Sequence, residues 1–354
     1  MSLLDKHISL GASVAPDGIP SQYGDLKTEY HAALNQAVLM DRSHEGRIEA
    51  RGRDRFELIQ RISTNDVLKM ALGEGRATIF TNANGRILDR IMIYHRGDTA
   101  LITTEPGRGG PLTTFLQRQV FFNDEAAFTD LTAATRQFVL HGPNADAVVT
   151  ALLPEAAATD SLYGIEGKVA DIPVFVARRK PLSGSHWAIY VATENAETVW
   201  QAILDAGKPF GLIPAGSKTY NALRIYAGRP AGRELSVDFI PLEAGLWDEV
   251  SFTKGCYTGQ EIIARMESRN RLAKTIVKLR LSAWAEAPAN LSIDGKSVGT
   301  LTSSVVTPDQ EILGIGFVKI ALANVGEKFL IGEMDAEAVI TALAGVQPPQ
   351  LVEG

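Results

Sequence analysis

Cysteine is almost absent from this chain: Cys256 is the only one among 354 residues. A single cysteine cannot form an internal disulfide, and the amino-terminal residues lack the basic start and continuous apolar run of a secretory signal. No stretch approaches the roughly 18 consecutive apolar residues of a membrane-spanning helix. We therefore expect a cytoplasmic protein that does not enter a membrane.

Several motifs that would indicate a common enzyme class are also missing. The six histidines are scattered without paired spacing and none follows His186, so we expect no permanent zinc site. The run GLIPAGSK at 211–218 places Ser before Lys, and neither G-x-G-x-x-G nor G-x-S-x-G occurs. Nucleotide hydrolysis and triad esterase chemistry are disfavoured.

The overall composition is that of a folded protein with an acidic balance. Hydrophobic residues make up 45% and charged residues 21%, and the net charge of −6 makes nucleic acid an improbable partner. At roughly 100–200 residues per domain, the length predicts two or three domains.

The first half of the chain changes its hydrophobic period. Apolar residues at every third position, Phe56, Ile59 and Ile62, predict an amphipathic helix over 53–64. Runs of β-branched and aromatic residues then predict strands at 77–81 and 86–94.

Asn84 and Gly85 lie between these strands, and this pair supplies the positive φ angles of a tight hairpin turn. Apolar residues on both faces of the second strand predict that both are buried, with Asp89 and Arg90 among them. A buried charge must be paired, hydrogen-bonded or turned toward a ligand. The pattern leaves open whether these two residues satisfy backbone groups or line a pocket.

The second half is predicted to hold a helix, a long connection and an all-β region. The helix covers 217–226 and ends at Gly228, and the Gly- and Pro-containing connection continues to residue 245. After Lys274, short alternating strands separated by turn residues predict a small β-barrel that begins near residue 275.

The run KGCYTGQE at 254–261 contains the single cysteine. Thr258 and Glu261 have the spacing of a capping box, which predicts a helix start just after Cys256. The positive end of that helix, together with Lys254, favours a thiolate that is nucleophilic, redox-active or a soft metal ligand. The alternative is a packed, inert thiol, since free cysteine is often buried.

Five segments together carry a family resemblance. They are RIEARGRDRFELIQRISTNDV, NANGRILDRIMIY, LRIYAGRP, PLEAGLW and VSFTKGCYTGQEIIAR, and the last contains the specific run K-G-C-Y-x-G-Q-E. In this order they resemble the folate-binding YgfZ-type proteins of iron-sulfur cluster assembly or repair, which are relatives of the glycine-cleavage T-protein, an aminomethyltransferase.

The resemblance implies an α+β fold, a cloverleaf of two interleaved α+β domains plus a C-terminal β-barrel. The first domain would comprise 1–50 with 136–215, the second 51–135 with 216–274, and the barrel 275–354. Tetrahydrofolate or a one-carbon derivative would occupy a central channel.

The resemblance also suggests which residues form the site. Cys256, Lys254 and Asp89 are the candidate catalytic residues. The candidate folate-binding residues are Tyr226, Arg224, Glu243, Arg90, Tyr257 and Gln260. No metal ligand is predicted.

Two positions depart from the aminomethyltransferase pattern. Where those enzymes have two consecutive acids, this chain has Asp89 followed by Arg90, so the expected catalytic carboxylate is missing. Where they have a pterin-holding glutamate in L-R-x-E-A-G, the run LRIYAG has Tyr226. Glu243 in PLEAG is the substitute carboxylate that we expect.

The sequence therefore favours a tetrahydrofolate-binding accessory protein for iron-sulfur clusters, with Cys256 as a reactive thiol and iron-sulfur client or assembly proteins as partners. A folate-dependent aminomethyl- or methyltransferase in which Asp89 replaces the missing acid is the enzyme alternative. A noncatalytic interaction module with a packed cysteine is the third.

Overall fold

The computed structural model describes residues 2–268 and 272–348. The helices in these ranges are α1 (Leu3–Ser9), α2 (Leu26–Asn35), α3 (Arg55–Ile62), α4 (Gly109–Gln117), α5 (Ala145–Leu152), α6 (Ala196–Gly207), α7 (Ser217–Ala227) and α8 (Gln260–Ser268). None of these helices is long and apolar enough to cross a membrane.

The strands of the same ranges are β1 (Ala12–Val14), β2 (Pro20–Tyr23), β3 (Ala37–Asp41), β4 (Glu45–Arg51), β5 (Gly75–Thr81), β6 (Ile87–His95), β7 (Thr99–Pro106), β8 (Ala127–Asp130), β9 (Thr135–Gly142), β10 (Gly164–Val169), β11 (Ile172–Arg178), β12 (Ser185–Ala192), β13 (Leu212–Pro214), β14 (Lys274–Leu281), β15 (Ala289–Ile293), β16 (Lys296–Val306), β17 (Ile312–Lys319), β18 (Lys328–Ile331) and β19 (Glu337–Leu343).

Residues from distant parts of the sequence form each of two compact units. The first comprises Met1–Leu58, Lys69–Arg76 and Ile91–Leu223, and the second Ile59–Leu68, Ala77–Arg90 and Arg224–Gly354. The three-part domain boundaries expected from the sequence remain a prediction.

The first unit is built on a six-stranded sheet in the order β10-β11-β12-β9-β3-β13. Its strands pair antiparallel except β13, which is parallel to β3. Helices α5 and α6 bury Val148, Val199 and Trp200 against this sheet. The aromatic and β-branched residues of the strands supply the opposite wall of that core.

A second sheet has the order β5-β6-β7-β4-β8. The predicted helix at 53–64 is observed as α3, and its residues Phe56 and Ile59 are buried as expected. The turn before β6 closes where the amide of Gly85 donates to the carbonyl of Asn82 at 2.9 Å. Only Gly85 of the predicted pair has a positive φ, of 68°.

The prediction that both faces of β6 are buried is wrong at Leu88, which is 37% exposed. The error has a physical reason: a single apolar side chain on a strand surface is common and does not by itself indicate a core face.

The second unit contains a closed six-stranded barrel in the order β14-β17-β16-β15-β18-β19. Its interior is filled by aliphatic residues and Phe329. The barrel predicted after Lys274 is confirmed, and with it the α+β class. Closure leaves no free sheet edge, which explains how many short strands form one stable body.

Helix α7 and the connection that follows it also agree with the sequence. Gly228 has a φ of 71° immediately after the helix, where a left-handed residue ends a helical run. The connection contains a short 3-10 helix at Gly232–Leu235. Its Phe239 stacks on Phe317 of β17, with ring centroids 3.5 Å apart.

Gly259 is the point where the KGCYTGQE run approaches the β5-β6 turn. Its φ is +82°, and a Cβ added there would lie 2.5 Å from the carbonyl oxygen of Asn82 and 2.8 Å from Cα of Gly85. Both the backbone conformation and the close approach therefore require glycine. A Cβ added to Gly255, four residues earlier, would have no neighbouring atom within 4 Å.

We expect Gly259→Ala to destabilise the second unit by at least about 2 kcal/mol, because alanine adds left-handed strain and a backbone clash. The measurement is urea unfolding followed by tryptophan fluorescence. Gly255→Ala is the matched control and should change the midpoint little. Equal effects of the two substitutions would contradict the requirement for glycine at residue 259.

Candidate functional site

The KGCYTGQE run forms a loop between a 3-10 turn at Trp247–Glu249 and helix α8. The helix begins at Gln260, so Gly259 rather than Thr258 precedes its first residue. The carboxylate of Glu261 pairs with Arg265 at 2.6 Å. The predicted capping box of Thr258 and Glu261 is therefore wrong, because the positive φ of Gly259 delays the helix start.

Lys254 anchors this loop by its side chain. The Nζ atom donates to the carbonyls of Gln60 at 2.6 Å, Ser63 at 2.5 Å and Asn65 at 3.1 Å. These carbonyls belong to the last turn of α3 and the residues after it, where a helix leaves carbonyls without internal partners. The side chain thus satisfies the end of α3 and fixes the loop to it.

Burial lowers the pKa of Lys254 to about 8. The ammonium is still the main form at neutral pH, and it is the form that can donate to three acceptors at once. Its Nζ atom also lies 5.0 Å from the centroid of the Tyr257 ring.

Cys256 is exposed and is a free thiol. The packed cysteine considered as an alternative is therefore wrong. The adjacent Gly255 and the nearby Thr258 are exposed too, while Lys254 and Tyr257 on either side are buried. The loop thus presents the sulfur at the surface between two buried anchors.

Arg90 forms a buried ion pair with Glu249. Its Nε atom donates to Oε2 at 2.7 Å and its Nη2 atom to Oε1 at 2.5 Å, with side-chain exposures of 9% and 3%. Such a bidentate pair fixes both side chains and leaves neither charge uncompensated. Asp89, the next residue back on β6, is half-buried.

The segment 63–65 connects this ion pair to Lys254. Oγ1 of Thr64 donates to the carbonyl of Glu249 at 2.7 Å, and the amide of Ser251 donates to the carbonyl of Thr64 at 2.9 Å. One short segment therefore contacts both Lys254 and Glu249, the partner of Arg90.

Tyr257 and Gln260 complete the predicted residues of the loop. Tyr257 is 7% exposed and packs among Leu242, Val250 and Ile263, and burial raises its pKa to about 12. Gln260 is half-buried at the first position of α8. Tyr257 is thus a packing residue in this structure.

Tyr226 lies at the end of α7 and is 45% exposed. The Nζ atom of Lys278 lies 5.4 Å from the centroid of its ring. Partial burial lowers the pKa of Lys278. An exposed aromatic face beside a cation can bind a flat ring that carries an acidic group.

Arg224, two residues before Tyr226 on α7, is engaged by protein groups. It pairs with Glu234 at 3.4 Å and donates to Oγ of Ser303 at 2.8 Å, while Ser303 in turn donates to Glu234 at 2.7 Å. Glu234 is fully buried. This network ties α7 to the connection and to β16.

Glu243 lies at the wall of a cleft within the second unit. It accepts from the amide of Ile240 at 3.1 Å and from Nη1 of Arg86 at 3.2 Å. Burial raises its pKa. The aromatic pair Phe239 and Phe317 lines the same cleft.

Sequence reasoning did not identify Glu249, Lys278 or Arg86. The predicted burial of Arg90 indicated that its charge is paired, hydrogen-bonded or turned toward a ligand. The sequence pattern could not show which residue is its partner. These three partners are distant in sequence from the residues they contact, so only the fold reveals them.

Among the described residues, no group of three His, Cys, Asp or Glu side chains could hold a metal ion.

Comparisons with known proteins show the family of this chain. The profile of the GCVT N-terminal domain matches residues 3–254. The chain is 30% identical over 349 residues to a protein of Arabidopsis thaliana provisionally named a chloroplastic transferase, covering 96% of this chain and 79% of that protein. It is 29% identical over 340 residues to an aminomethyltransferase of Symbiobacterium thermophilum, covering 92% and 90%.

A solved structure shares the fold. The glycine cleavage system aminomethyltransferase T of Bartonella henselae superposes with a TM-score of 0.84 at 21% identity, covering 100% of this chain and 98% of that one. Because the domain profile spans more than half of the sequence and the plant relative is 30% identical over almost all of it, this chain belongs to the GCVT family of aminomethyltransferase-like proteins.

Proposed function

We propose that this protein is a tetrahydrofolate-binding accessory factor of the YgfZ type in iron-sulfur cluster assembly or repair, and that Cys256 is its reactive thiol. The observation that carries the proposal is the placement of Cys256. The chain's only thiol is exposed on a loop that Lys254 holds to three backbone carbonyls. A sulfur presented at a fixed place suits transfer or protection of a reactive sulfur or iron species.

The position of the missing acid supports an accessory role over aminomethyl transfer. Arg90 stands where the resemblance expects a catalytic carboxylate, and its guanidinium is locked to Glu249 by two hydrogen bonds. An arginine retains its proton at any physiological pH and cannot serve as a general base. Asp89 is the remaining acid of that strand, and the transferase alternative depends on it.

Folate contact is proposed first for Tyr226, with Lys278 as the cation for the acidic tail of the ligand. The tyrosine ring is nearly half exposed, so it is available to stack on a pterin. Arg224, Arg90 and Glu243 are already paired with protein groups, and Tyr257 is buried. These four residues would support the site by position, and Gln260 would supply an amide at the start of α8.

The cytoplasm is the proposed location and iron-sulfur client or assembly proteins are the proposed partners. Both follow from the YgfZ-type resemblance and from the nearly cysteine-free composition, which suits a reducing compartment.

Cys256→Ala is the direct test of the thiol. In a strain that lacks the wild-type protein, we expect this variant to leave iron-sulfur enzymes with reduced activity, because the proposed sulfur chemistry is lost. Gly255→Ala, at the neighbouring exposed position, should restore activity fully. Full activity with Cys256→Ala would count against the proposal.

The transferase alternative is tested with purified protein, tetrahydrofolate and a one-carbon amine donor. We expect no methylene-tetrahydrofolate above background by absorbance, since no free carboxylate occupies the position of Arg90. Product that disappears with Asp89→Asn would make the protein an enzyme of the aminomethyltransferase type.

Lys254→Met tests whether the ammonium positions the loop. Its loss leaves three carbonyls without this donor, and we expect a destabilisation of about 3 kcal/mol in urea unfolding. Amide hydrogen exchange of residues 251–257 should accelerate, which a general loss of packing elsewhere would not single out. Lys168→Met, at an exposed lysine of β10, is the control and should leave both measurements unchanged.

Tyr226→Ala tests the proposed folate contact. Loss of a stacking ring is worth about 1–3 kcal/mol, so we expect tetrahydrofolate affinity to fall about tenfold or more in a fluorescence titration. Phe122→Ala removes a fully exposed ring in the first unit and should not change the affinity. Unchanged binding by Tyr226→Ala would remove this residue from the folate site.

A further inference from the structure

The second unit contains a cleft whose lining includes only one residue of the proposed folate site, Glu243. It has a volume of about 1080 Å³ and lies between the connection after α7 and strands β16 and β17 of the barrel. Neither Tyr226 nor Cys256 lines it. Its volume is close to the upper end of the range for sites that bind small organic ligands.

The walls of the cleft carry an excess of positive charge. Its cationic lining residues are Arg86, Arg233, Lys274 and Lys319, and its carboxylates are Asp238 and Glu243. A cationic excess in one cleft is notable in a chain whose net charge is −6. Low-dielectric walls concentrate such a field and attract anions.

Two of the cations converge on one backbone oxygen. Nη1 of Arg86 donates to the carbonyl of Asp238 at 2.9 Å, and Nζ of Lys274 donates to the same atom at 3.1 Å. Glu243 pairs with Arg86 at 3.2 Å and also attracts the ammonium of Lys274, so one carboxylate offsets only part of the two positive charges. An arginine has five N–H donors and a lysine three, so both keep donors for a ligand.

The other two cations are exposed and lie at the same cleft. Arg233 is in the short 3-10 helix of the connection, and Lys319 ends β17. In the part of the chain that the structure describes, neither makes an ion pair. Their charges are therefore available to a ligand that reaches both sides of the cleft.

The remaining wall is apolar. Its lining residues include Pro288, Val298 and the stacked pair Phe239 and Phe317. A ligand that matches this lining has acidic groups at its ends and a compact organic body, and the apolar wall would bury that body.

We propose that this cleft binds a small organic anion with at least two phosphate or carboxylate groups, and that Arg86, Lys274, Arg233 and Lys319 hold those groups. Arg86 and Lys274 form the deeper anion contact, fixed by the carbonyl of Asp238 and by Glu243. Arg233 and Lys319 form the outer contact. Tyr226, Lys278 and Cys256 do not line this cleft, and Glu243 is the one residue that it shares with the proposed folate site.

The test is isothermal titration calorimetry of the full chain at low ionic strength with two probes, pyrophosphate and citrate. Binding of pyrophosphate alone indicates a phosphate ligand, and binding of citrate alone indicates a carboxylate ligand. Because exposed charges are screened by salt, the affinity should fall as sodium chloride is raised to 0.5 M, a concentration of about three times the physiological ionic strength.

The double variant Arg233→Glu/Lys319→Glu reverses two exposed, unpaired charges and should preserve the fold. We expect it to weaken anion binding at least about tenfold, since each reversal replaces an attraction by a repulsion. Lys168→Glu, an exposed charge in the first unit, is the matched control and should keep the wild-type affinity. Tetrahydrofolate binding should be the same in all three proteins.

Three results would overturn the proposal. One is the absence of binding for both probes, and another is equal binding by the wild type and the double variant. The third is a parallel loss of tetrahydrofolate and anion affinity in the double variant, which would assign both ligands to one site. Failure of the folate or thiol experiments alone leaves this result unaffected, because those experiments use other residues.

Discussion

The buried ammonium of Lys254 is the contact on which the arrangement of the cysteine loop depends. It joins three carbonyls at the end of α3 to a loop that is nearly two hundred residues later in the sequence. Backbone carbonyls buried at a helix end need a donor, and a lysine can supply three. This one side chain therefore satisfies a helix and fixes the place of Cys256.

The ion pair of Arg90 and Glu249 fixes two buried charges in the second unit. The chain has the fold of an aminomethyltransferase, yet an arginine occupies the position of the expected acid and its partner is buried with it. A buried pair of this kind is costly to separate, because either charge left alone would lack compensation. The shared fold does not by itself determine the chemistry at this strand position.

Local patterns predicted most of the fold because they report local energetics. The threefold spacing of Phe56 and Ile59 matches the observed face of α3, and the turn residues after Lys274 match the strands of the barrel. The capping box failed for a reason that is also local: Gly259 takes a left-handed conformation next to Gly85, and the helix therefore starts one residue later than a Thr258 cap requires. That close approach depends on a turn far away in sequence, so the spacing of Thr258 and Glu261 could not reveal it.

The sequence by itself determined the chemistry available to this protein: a single thiol, an Arg where an acid is expected, a terminal run of short strands, and a family resemblance across most of the chain. The tertiary structure decided how those groups are used. It paired Arg90 with Glu249, turned Lys254 toward α3, exposed Cys256 and gathered four cations around one cleft. The division has a physical cause, since helix and strand patterns arise from neighbours along the chain, whereas a buried charge is compensated by whichever residue the fold places within about 3 Å of it.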